Sequence, residues 1–292
     1  MNASRHSVID ATLAWYAGHA RILPWREPEA TPWGVMVSEF MLQQTPVARV
    51  LPVWSVWMER WPTPSALAAD EPGEAVRAWG RLGYPRRAQR LHAAATVIVA
   101  EHGGQVPASL DALRALPGVG EYTAAAIASF GYGQRHLVLD TNVRRVLARI
   151  EDGCEFPPTH LTQGERDRRQ VWVPDDPAQA AAWAVASMEL GALVCTARTP
   201  ACPSCPVRES CAWFAAGRPA HEGPPRRGQT YAGTDRQCRG VLLGVVRDAA
   251  GPVPEEAVLA AWTSDPAQAT RALEGLLADG LLRKGAQATV TL

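Results

Sequence analysis

Four of the six cysteines lie close together, and they are the strongest sign of chemistry in this sequence. They are Cys195, Cys202, Cys205 and Cys211, in the spacing C-x6-C-x2-C-x5-C. In a cytoplasmic chain such a cluster indicates a metal centre, because disulfides are rare there. Zinc and an iron–sulfur cluster both accept four thiolates, so the spacing leaves both open, with unligated thiols as a third possibility.

Two carboxylates are candidates for acid–base chemistry. Asp140 stands where an apolar stretch turns into the helical sequence 143–150; it is interpreted either as an N-cap or as a working acid. Glu39 lies in the apolar segment 33–42, followed by the amides of Gln43 and Gln44. Burial of Glu39 is costly unless a partner or ligand satisfies it. Burial also predicts a raised pKa, which lets Glu39 hold a proton near neutral pH.

A glycine-rich turn, LPGVG at 116–120, joins two helical stretches. Pro117 ends the first helix, and Gly118 and Gly120 permit a tight turn before the second. Amides at the start of such a helix bind anions, and a DNA phosphate suits them. No Gly-Lys-Ser/Thr follows, so this is not a Walker loop. A simple helical connection is equally compatible with the sequence.

The elements that must position these residues are predicted to be helical nearly throughout, so the predicted fold class is mainly α. Apolar residues recur at helical spacing over 91–98, 143–150 and 183–194. No series of alternating strands is predicted before about residue 280.

The C-terminal part has a different character. Residues 217–233 are rich in Pro, Gly and Arg and are predicted to form an interdomain linker. Predicted helices over 239–248, 255–262 and 266–279, followed by a hairpin within 280–292, give the element order of a winged helix. Such modules bind DNA in many proteins and serve as packing domains in others.

Composition excludes several classes of protein. The 292 residues are 47% apolar and 20% charged, which is typical of globular proteins. No apolar run approaches the roughly 20 residues of a membrane span, and the polar N-terminus lacks a signal-peptide core, so a cytoplasmic protein without membrane contact is predicted. The net charge is zero. The stretch from Arg77 to Arg149 nevertheless contains ten arginines and only four acidic residues, which predicts either a basic face or scattered, solvated arginines.

Five segments, in order along the chain, resemble motifs of the helix-hairpin-helix DNA glycosylase superfamily, and within it the adenine DNA glycosylase (MutY) family. They are LPWR (23–26), SEFMLQQT (38–45), RLGYPRRAQRLHAAA (81–95), LPGVGEYTAAAI (116–127) and MELGALVCTARTPACPSCP (188–206), joined by the acid in VLDTNVRRV (138–146). The resemblance implies removal of adenine mispaired with 8-oxoguanine or guanine in double-stranded DNA. The cysteine spacing resembles that of the superfamily's [4Fe–4S] cluster, which favours this cluster over zinc. The short tail resembles that of actinobacterial members.

The resemblance also implies a two-lobed architecture. An iron–sulfur cluster domain combines residues 1–30 and 138–216, and a six-helix domain with the hairpin covers 31–137. The linker at 217–233 then leads to a small winged-helix-like domain at 234–292. The protein is expected to act as a monomer in the bacterial cytosol.

The resemblance implies a role for each matching residue. Glu39 is the general acid that protonates N7 of adenine, and Asp140 stabilises the oxocarbenium ion or bonds to it. Asn142 orients Asp140, and Tyr122 lies against the sugar and both acids. The pocket for the flipped adenine consists of Arg21, Trp25, Gln44 and Glu189. Gln43 and Tyr84 wedge into the duplex, and the amides after Gly118 and Gly120 hold a phosphate.

Departures from the family pattern refine these expectations. Endonuclease III-type relatives cut the strand with a lysine at the position of Tyr122, and the only lysine of this chain is Lys284. Base removal without efficient strand cleavage is therefore predicted. The tail is too short for the Nudix-like domain that reads 8-oxoguanine in many members. The family's GYY string reads Gly83-Tyr84-Pro85, which stiffens the turn after the wedge tyrosine.

Two alternatives remain open at this level. One is a mismatch glycosylase for thymine or uracil on the same scaffold, and the glutamine pair at 43–44 argues for adenine instead. The other is a non-catalytic iron–sulfur protein that senses DNA damage or redox state, and the presence of both Glu39 and Asp140 argues against it.

Overall fold

The computed structural model describes residues 2–223 and 231–292, and over these ranges the fold is mainly helical, as predicted. No helix in them is long and apolar enough to cross a membrane. The α-helices of the described residues are α1 Asn2–His19, α2 Pro32–Leu42, α3 Val47–Arg60, α4 Pro64–Ala68, α5 Pro72–Trp79, α6 Arg86–His102, α7 Leu110–Ala115, α8 Glu121–Tyr132, α9 Thr141–Leu147, α10 Gln163–Arg169, α11 Pro177–Leu193, α12 Ala212–Ala215, α13 Asp235–Asp248, α14 Glu255–Ala260 and α15 Pro266–Ala278.

Helix α6 shows why these segments are helical. Leu91, Ala95 and Ile98 recur at helical spacing, and all three are fully buried. The helix ends at Gly103, whose left-handed backbone (φ +59°) lets its N–H bond to the carbonyl of Ile98. Glycine adopts this conformation at the lowest cost, so the sequence correctly predicts where the helix stops.

The chain forms two compact units. Unit 1 comprises Met1–Met36, Ala108–Arg114 and Val119–Pro225, and unit 2 comprises Val37–Pro107, Ala115–Gly118 and Arg226–Leu292. In unit 1, α11 packs against α1 and α9 around a core in which the rings of Trp172 and Trp183 stack 5.9 Å apart. In unit 2, Trp57 meets Trp61 and Trp79 edge to face.

The domain boundaries given by the resemblance stay a prediction. Within residues 31–137 the structure has seven helices, α2 to α8, where the expectation was six. One of the seven, α4, is a five-residue helix that begins with Pro64 and is capped by the hydroxyl of Thr63. It is too short to show a periodic pattern in the sequence.

The C-terminal module, residues 234–292, has the element order of a winged helix: α13, β1 (Val253–Pro254), α14, α15, β2 (Arg283–Lys284) and β3 (Thr289–Thr291). The strands form an antiparallel sheet in the order β1-β3-β2. Among the described residues, no series of alternating strands precedes residue 280, as predicted; the single strand β1 is only two residues long and pairs with β3 far along the chain. Of the predicted linker at 217–233, residues 224–230 lie outside the described residues.

Candidate active site

Asp140 lies at the N-terminus of α9, and both of its carboxylate oxygens are engaged. Oδ1 accepts the backbone N–H of Val143 at 2.6 Å, and Oδ2 accepts Nδ2 of Asn142 at 2.7 Å. The N-cap interpretation is therefore confirmed, and it is compatible with a working carboxylate. Burial raises the pKa of Asp140, against the opposing effect of these hydrogen bonds and of Arg145.

Asn142 is itself held in position by Arg145. Its Oδ1 accepts Nη2 of Arg145 at 2.9 Å, and the same Nη2 donates to the carbonyl of Gly191 at 2.7 Å. A Cβ on Gly191 would lie 2.7 Å from Cβ of Asn142, so α9 and α11 approach too closely here for any side chain. Nε of Arg145 also reaches the carbonyl of Cys195, which ties the cysteine loop to the Asp140 segment.

The hairpin at 116–120 uses its two glycines differently. Gly118 has a left-handed backbone (φ +80°), and a Cβ there would lie 2.8 Å from Cβ of Arg90, so both conformation and space require glycine. Gly120 is the N-cap of α8, faces open space and contributes no side-chain cap. Tyr122, in the first turn of α8, packs against the cluster that contains Val138.

Glu189 of α11 is fully buried and held by two arginines. Arg21 donates through Nε at 2.6 Å and Nη2 at 2.8 Å, and Arg26 donates through Nη1 at 2.9 Å. Burial alone would raise the pKa of Glu189, but these guanidinium contacts outweigh it and lower the pKa to about 2. Trp25, buried in the short turn Pro24–Arg26, precedes the second arginine. A fixed anion and two cations thus lie together in unit 1, and a buried indole is the sequence neighbour of one of the cations.

Glu39 lies in unit 2, in α2, and is buried, in a stretch of the helix where Met36, Phe40 and Met41 are also buried. Its burial agrees with the sequence analysis, and its raised pKa stays a prediction. Gln43 follows the end of α2 and is half-buried. Gln44 is exposed and has a left-handed backbone (φ +58°), an uncommon conformation for a residue other than glycine.

Arg87, which the sequence analysis did not single out, connects the two predicted wedge segments. Its buried guanidinium donates to the carbonyls of Phe40, Met41 and Gln43 at the end of α2, and to the carbonyl of Gly83 beside Tyr84. Desolvation lowers the pKa of Arg87 to about 10. Tyr84 has a left-handed backbone (φ +50°) and a 45% exposed side chain. Arg87 therefore fixes both segments through one rigid group.

Part of the positive charge of the arginine-rich stretch 77–149 is buried and cannot belong to a basic face. Four of its ten arginines, Arg87, Arg144, Arg145 and Arg149, are buried and engaged by carbonyls or carboxylates. Their charge is used to hold the fold together. For the other six arginines of the stretch, a basic face and scattered, solvated side chains both stay predictions.

The four clustered cysteines line one cavity with apolar walls, including Val146, Leu190 and Trp213. Burial raises the pKa of Cys205 to about 11, and the neighbouring thiols add to this rise. Among the described residues, no three His, Cys, Asp or Glu side chains converge as ligands of one metal ion would. The structure nevertheless brings the four cysteines of the predicted metal centre to one cavity.

Comparisons with known proteins place this geometry in a family. Residues 37–166, which include Glu39, Tyr84 and Asp140, match the HhH-GPD superfamily base excision DNA repair protein family. Over 290 residues the chain is 52% identical to the adenine DNA glycosylase of Mycobacterium tuberculosis, covering 96% of this chain and 91% of the relative. The chain belongs to the adenine DNA glycosylase family. This confirms the resemblance seen in the five sequence motifs.

Two further comparisons show how widely the scaffold of the adenine DNA glycosylase family is shared. The thymine-DNA glycosylase of Aeropyrum pernix is 34% identical over 209 residues, covering 69% of this chain and 92% of the relative. The solved structure of a thermostable thymine-DNA glycosylase superposes with a TM-score of 0.65 at 23% identity, covering 74% of this chain and 98% of that one. The second comparison confirms the fold.

Members of the adenine DNA glycosylase family are N-glycosyl bond hydrolases. Most of the residues described above are predicted from the sequence, but Arg26, the second partner of Glu189, is not, although LPWR is among the matching segments. An arginine directly after the buried Trp25 was the available signal. Tyr16 was also missed; burial raises its pKa, and Arg26 and Glu189 influence it electrostatically.

Proposed function

We propose that this enzyme removes adenine opposite 8-oxoguanine or guanine in double-stranded DNA. The observation that carries the proposal is Asp140, whose two oxygens are oriented by neutral donors where burial disfavours its charge. A cation that develops at the sugar would be stabilised by such a carboxylate. Supporting it, Glu39 is buried, as a carboxyl that holds a proton should be.

In the proposed reaction, Glu39 gives its proton to N7 of adenine, which makes the base a better leaving group. The bond between N9 and C1′ then breaks, and the sugar becomes an oxocarbenium ion. Asp140 stabilises this ion or bonds to C1′, with Tyr122 against the sugar, until water adds to C1′. The products are free adenine and an abasic site. Asn142 keeps the carboxylate of Asp140 in position through the 2.7 Å hydrogen bond.

The flipped adenine is proposed to bind among Arg21, Trp25, Gln44 and Glu189. Extrusion is required because the N-glycosidic bond cannot be reached within the stack. Gln43 and Tyr84 are proposed to fill the gap in the duplex, and the amides after Gly118 and Gly120 to bind a phosphate. The left-handed backbone of Tyr84 and its partly exposed side chain suit a residue that projects from its turn.

The four clustered cysteines are proposed to hold a [4Fe–4S] cluster. When bound, the cluster holds the 195–211 loop together and performs no hydrolysis. Analysis of the purified protein should give close to four iron and four sulfide atoms per chain and no stoichiometric zinc. Cys202→Ser should lower the iron content, whereas Cys154→Ser, at an exposed cysteine outside the loop, should leave it unchanged.

The proposed chemistry is monofunctional, so it leaves the strand intact. Tyr122 stands where strand-cutting relatives carry lysine, and the single lysine, Lys284, is in β2 of the C-terminal module beside Glu255. Borohydride should therefore trap no stoichiometric adduct between enzyme and DNA. The enzyme is proposed to act as a monomer on DNA in the bacterial cytosol.

A single-turnover assay with end-labelled duplexes tests the proposal. The central pair is A opposite 8-oxoguanine, A opposite G, T opposite G or A opposite T, and alkali then cuts any abasic site. We expect cleavage of the adenine strand in the first two duplexes, only after alkali. Cleavage at T opposite G would assign the enzyme to the thymine branch, to which the Aeropyrum pernix relative belongs by name. Binding without cleavage of any duplex would favour a damage-sensing role.

A further inference from the structure

Within unit 2, the C-terminal module contacts the rest of the unit directly before the turn that presents Tyr84. Arg77, near the end of α5, donates to the carbonyls of Arg247 and Ala249, the second at 2.8 Å. In return, Nη1 of Arg247 donates to the carbonyl of Gly80 at 2.8 Å. The end of α13 therefore holds the first half of this turn through backbone atoms.

A second set of contacts between the module and the rest of unit 2 lies directly after the turn. Nε2 of Gln89 donates to the carbonyl of Gly280 at 2.6 Å, and Arg86 forms an ion pair with Asp279. The turn with Tyr84 is thus bounded on both sides by contacts to one small module. A group that the module carries near Tyr84 is consequently held in place before any ligand binds, which lowers the entropic cost of binding.

Arg236, in the first turn of α13, is the group that the module brings to Tyr84. Its Nη1 donates to the hydroxyl of Tyr84 at 3.4 Å, and its guanidinium carbon lies 5.1 Å from the ring centre of Tyr231. The side chains of all three residues are exposed. An exposed guanidinium that contacts the hydroxyl of one exposed tyrosine and the ring of another is a surface that suits nucleic acid.

Unlike the other two arginines on α13, Arg236 has no carboxylate partner among the residues that the structure describes. Arg239 pairs with Asp279, and Arg247 pairs with Asp248. Among the residues that the structure describes, Arg236 forms no ion pair with a carboxylate. A guanidinium that is exposed, preorganised and lacking an anion has the properties of a phosphate-binding group.

The rest of the module does not offer DNA a comparable surface. From 234 to 292 it contains six basic residues (Arg236, Arg239, Arg247, Arg271, Arg283, Lys284) and seven acidic ones (Asp235, Asp248, Asp265, Asp279, Glu255, Glu256, Glu274). The exposed face of α15, which follows the position of a recognition helix, carries one cation and one anion, Arg271 and Glu274. Reading of a DNA groove by α15 is therefore not supported by charge.

We propose that Arg236 binds a backbone phosphate of the DNA strand that Tyr84 enters, and that the module's role is to hold this arginine beside Tyr84. The proposal rests on the proposed function, because it takes duplex DNA as the ligand and Tyr84 as a wedge. It assigns Arg236 to binding of the mispaired duplex and not to the chemical step.

The test is the salt dependence of DNA binding by the full-length protein. The probe is a labelled duplex with 2′-fluoro-2′-deoxyadenosine opposite 8-oxoguanine, which resists cleavage, measured by anisotropy from 50 to 200 mM salt. For Arg236→Ala we expect about tenfold weaker binding at low salt, and a slope of log Kd against log salt that is smaller by about 1. Arg236→Lys should restore the slope, because it restores the charge.

Arg271→Ala is the matched control, since it removes the same charge from an exposed helical position of the same module. It should leave the slope within about 0.3 of that of the unsubstituted protein. Equal slopes for Arg236→Ala and Arg271→Ala would overturn the proposal. Excision on the cleavable duplex is measured alongside: if the unsubstituted protein excises no adenine the proposed function fails, whereas normal excision with an unchanged Arg236→Ala slope refutes only this inference.

Discussion

Asp140 and Glu189 are two carboxylates of unit 1 whose surroundings move their pKa values in opposite directions. At Asp140 burial dominates and raises the pKa, because the groups that donate to its oxygens, the N–H of Val143 and the amide of Asn142, are neutral. At Glu189 burial acts in the same sense, but Arg21 and Arg26 outweigh it.

The opposite pKa shifts suit the two carboxylates to different roles, one in binding and one in chemistry. Glu189 already has its cations, so it is a permanent anion suited to holding a ligand in a fixed orientation. Asp140 gains most when a positive charge develops close to it, which is what a transition state at the sugar provides. Two carboxylates whose pKa values are moved apart by their environments are typical of enzymes that divide binding from chemistry.

The largest effect is expected from Asp140→Asn. Loss of the negative charge should lower the single-turnover rate of adenine excision by about 10³-fold or more. Asp176→Asn is the control, because Asp176 also caps a helix, accepting the N–H of Gln179 at 2.8 Å. A rate within tenfold of the unsubstituted enzyme for Asp140→Asn would remove Asp140 from the mechanism.

Glu189→Gln should act mainly on stability. It leaves Arg21 and Arg26 without their anion, and we expect a loss of about 3 kcal/mol in the free energy of unfolding at pH 7. Glu59→Gln, at an exposed position of α3, should change it by less than about 0.5 kcal/mol. Urea denaturation measures both.

The pH dependence of stability tests the lowered pKa of Glu189 directly. Because folding lowers the pKa of Glu189 from 4.5 to about 2, its contribution is present above pH 4.5 and lost as the pH falls through 2. It amounts to about 3 kcal/mol. The unsubstituted protein should therefore lose this much more stability than Glu189→Gln between pH 5 and pH 2. Parallel pH profiles for the two proteins would contradict the assignment.

Asn142→Ala should have an intermediate effect on catalysis. Its hydrogen bond lowers the pKa of Asp140, so its removal reduces the ionised fraction at a given pH. We expect about a tenfold lower rate near neutral pH, and an acidic limb of the pH–rate profile displaced to higher pH. The deficit should shrink as the pH rises; a deficit that is equal at all pH values would mean that Asn142 acts only through structure.

The smallest effect is expected for the stability of Asp140→Asn. Burial of the ionised Asp140 costs folding free energy at pH 7, and asparagine is also a good N-cap. The variant should be as stable as the unsubstituted protein, or more stable by up to about 1 kcal/mol. A clear loss of stability in urea denaturation would show that the charge of Asp140 is structural.

The features that the sequence predicts are those determined by residues close together in the chain. The periodic helices, the stop of α6 at Gly103 and the three helices of the C-terminal module follow from spacing, glycine and proline, which act over a few residues. The cap at Asp140 was predicted for the same reason. The two-residue strand β1 could not be predicted, because only its pairing with β3, about 36 residues later, defines it.

Partners that are distant in the sequence account for the rest of what was missed. Arg26 and Glu189 are separated by 163 residues, and Arg87 and Phe40 by 47. No spacing rule connects such pairs. The arginines show why spacing does not predict such contacts: Arg86 and Arg87 are neighbours in the sequence, but Arg87 is buried and Arg86 is exposed.

Gly191 shows how a site can extend to a residue that does no chemistry. Its missing side chain lets α11 approach Asn142, and any larger residue would push α9, with Asp140 at its start, out of place. In a screen of random variants, substitutions at position 191 should therefore lower activity like those at the proposed catalytic carboxylates, although Gly191 has no part in the proposed chemistry. The tolerance of this enzyme to mutation therefore depends partly on a position that has no room for a side chain.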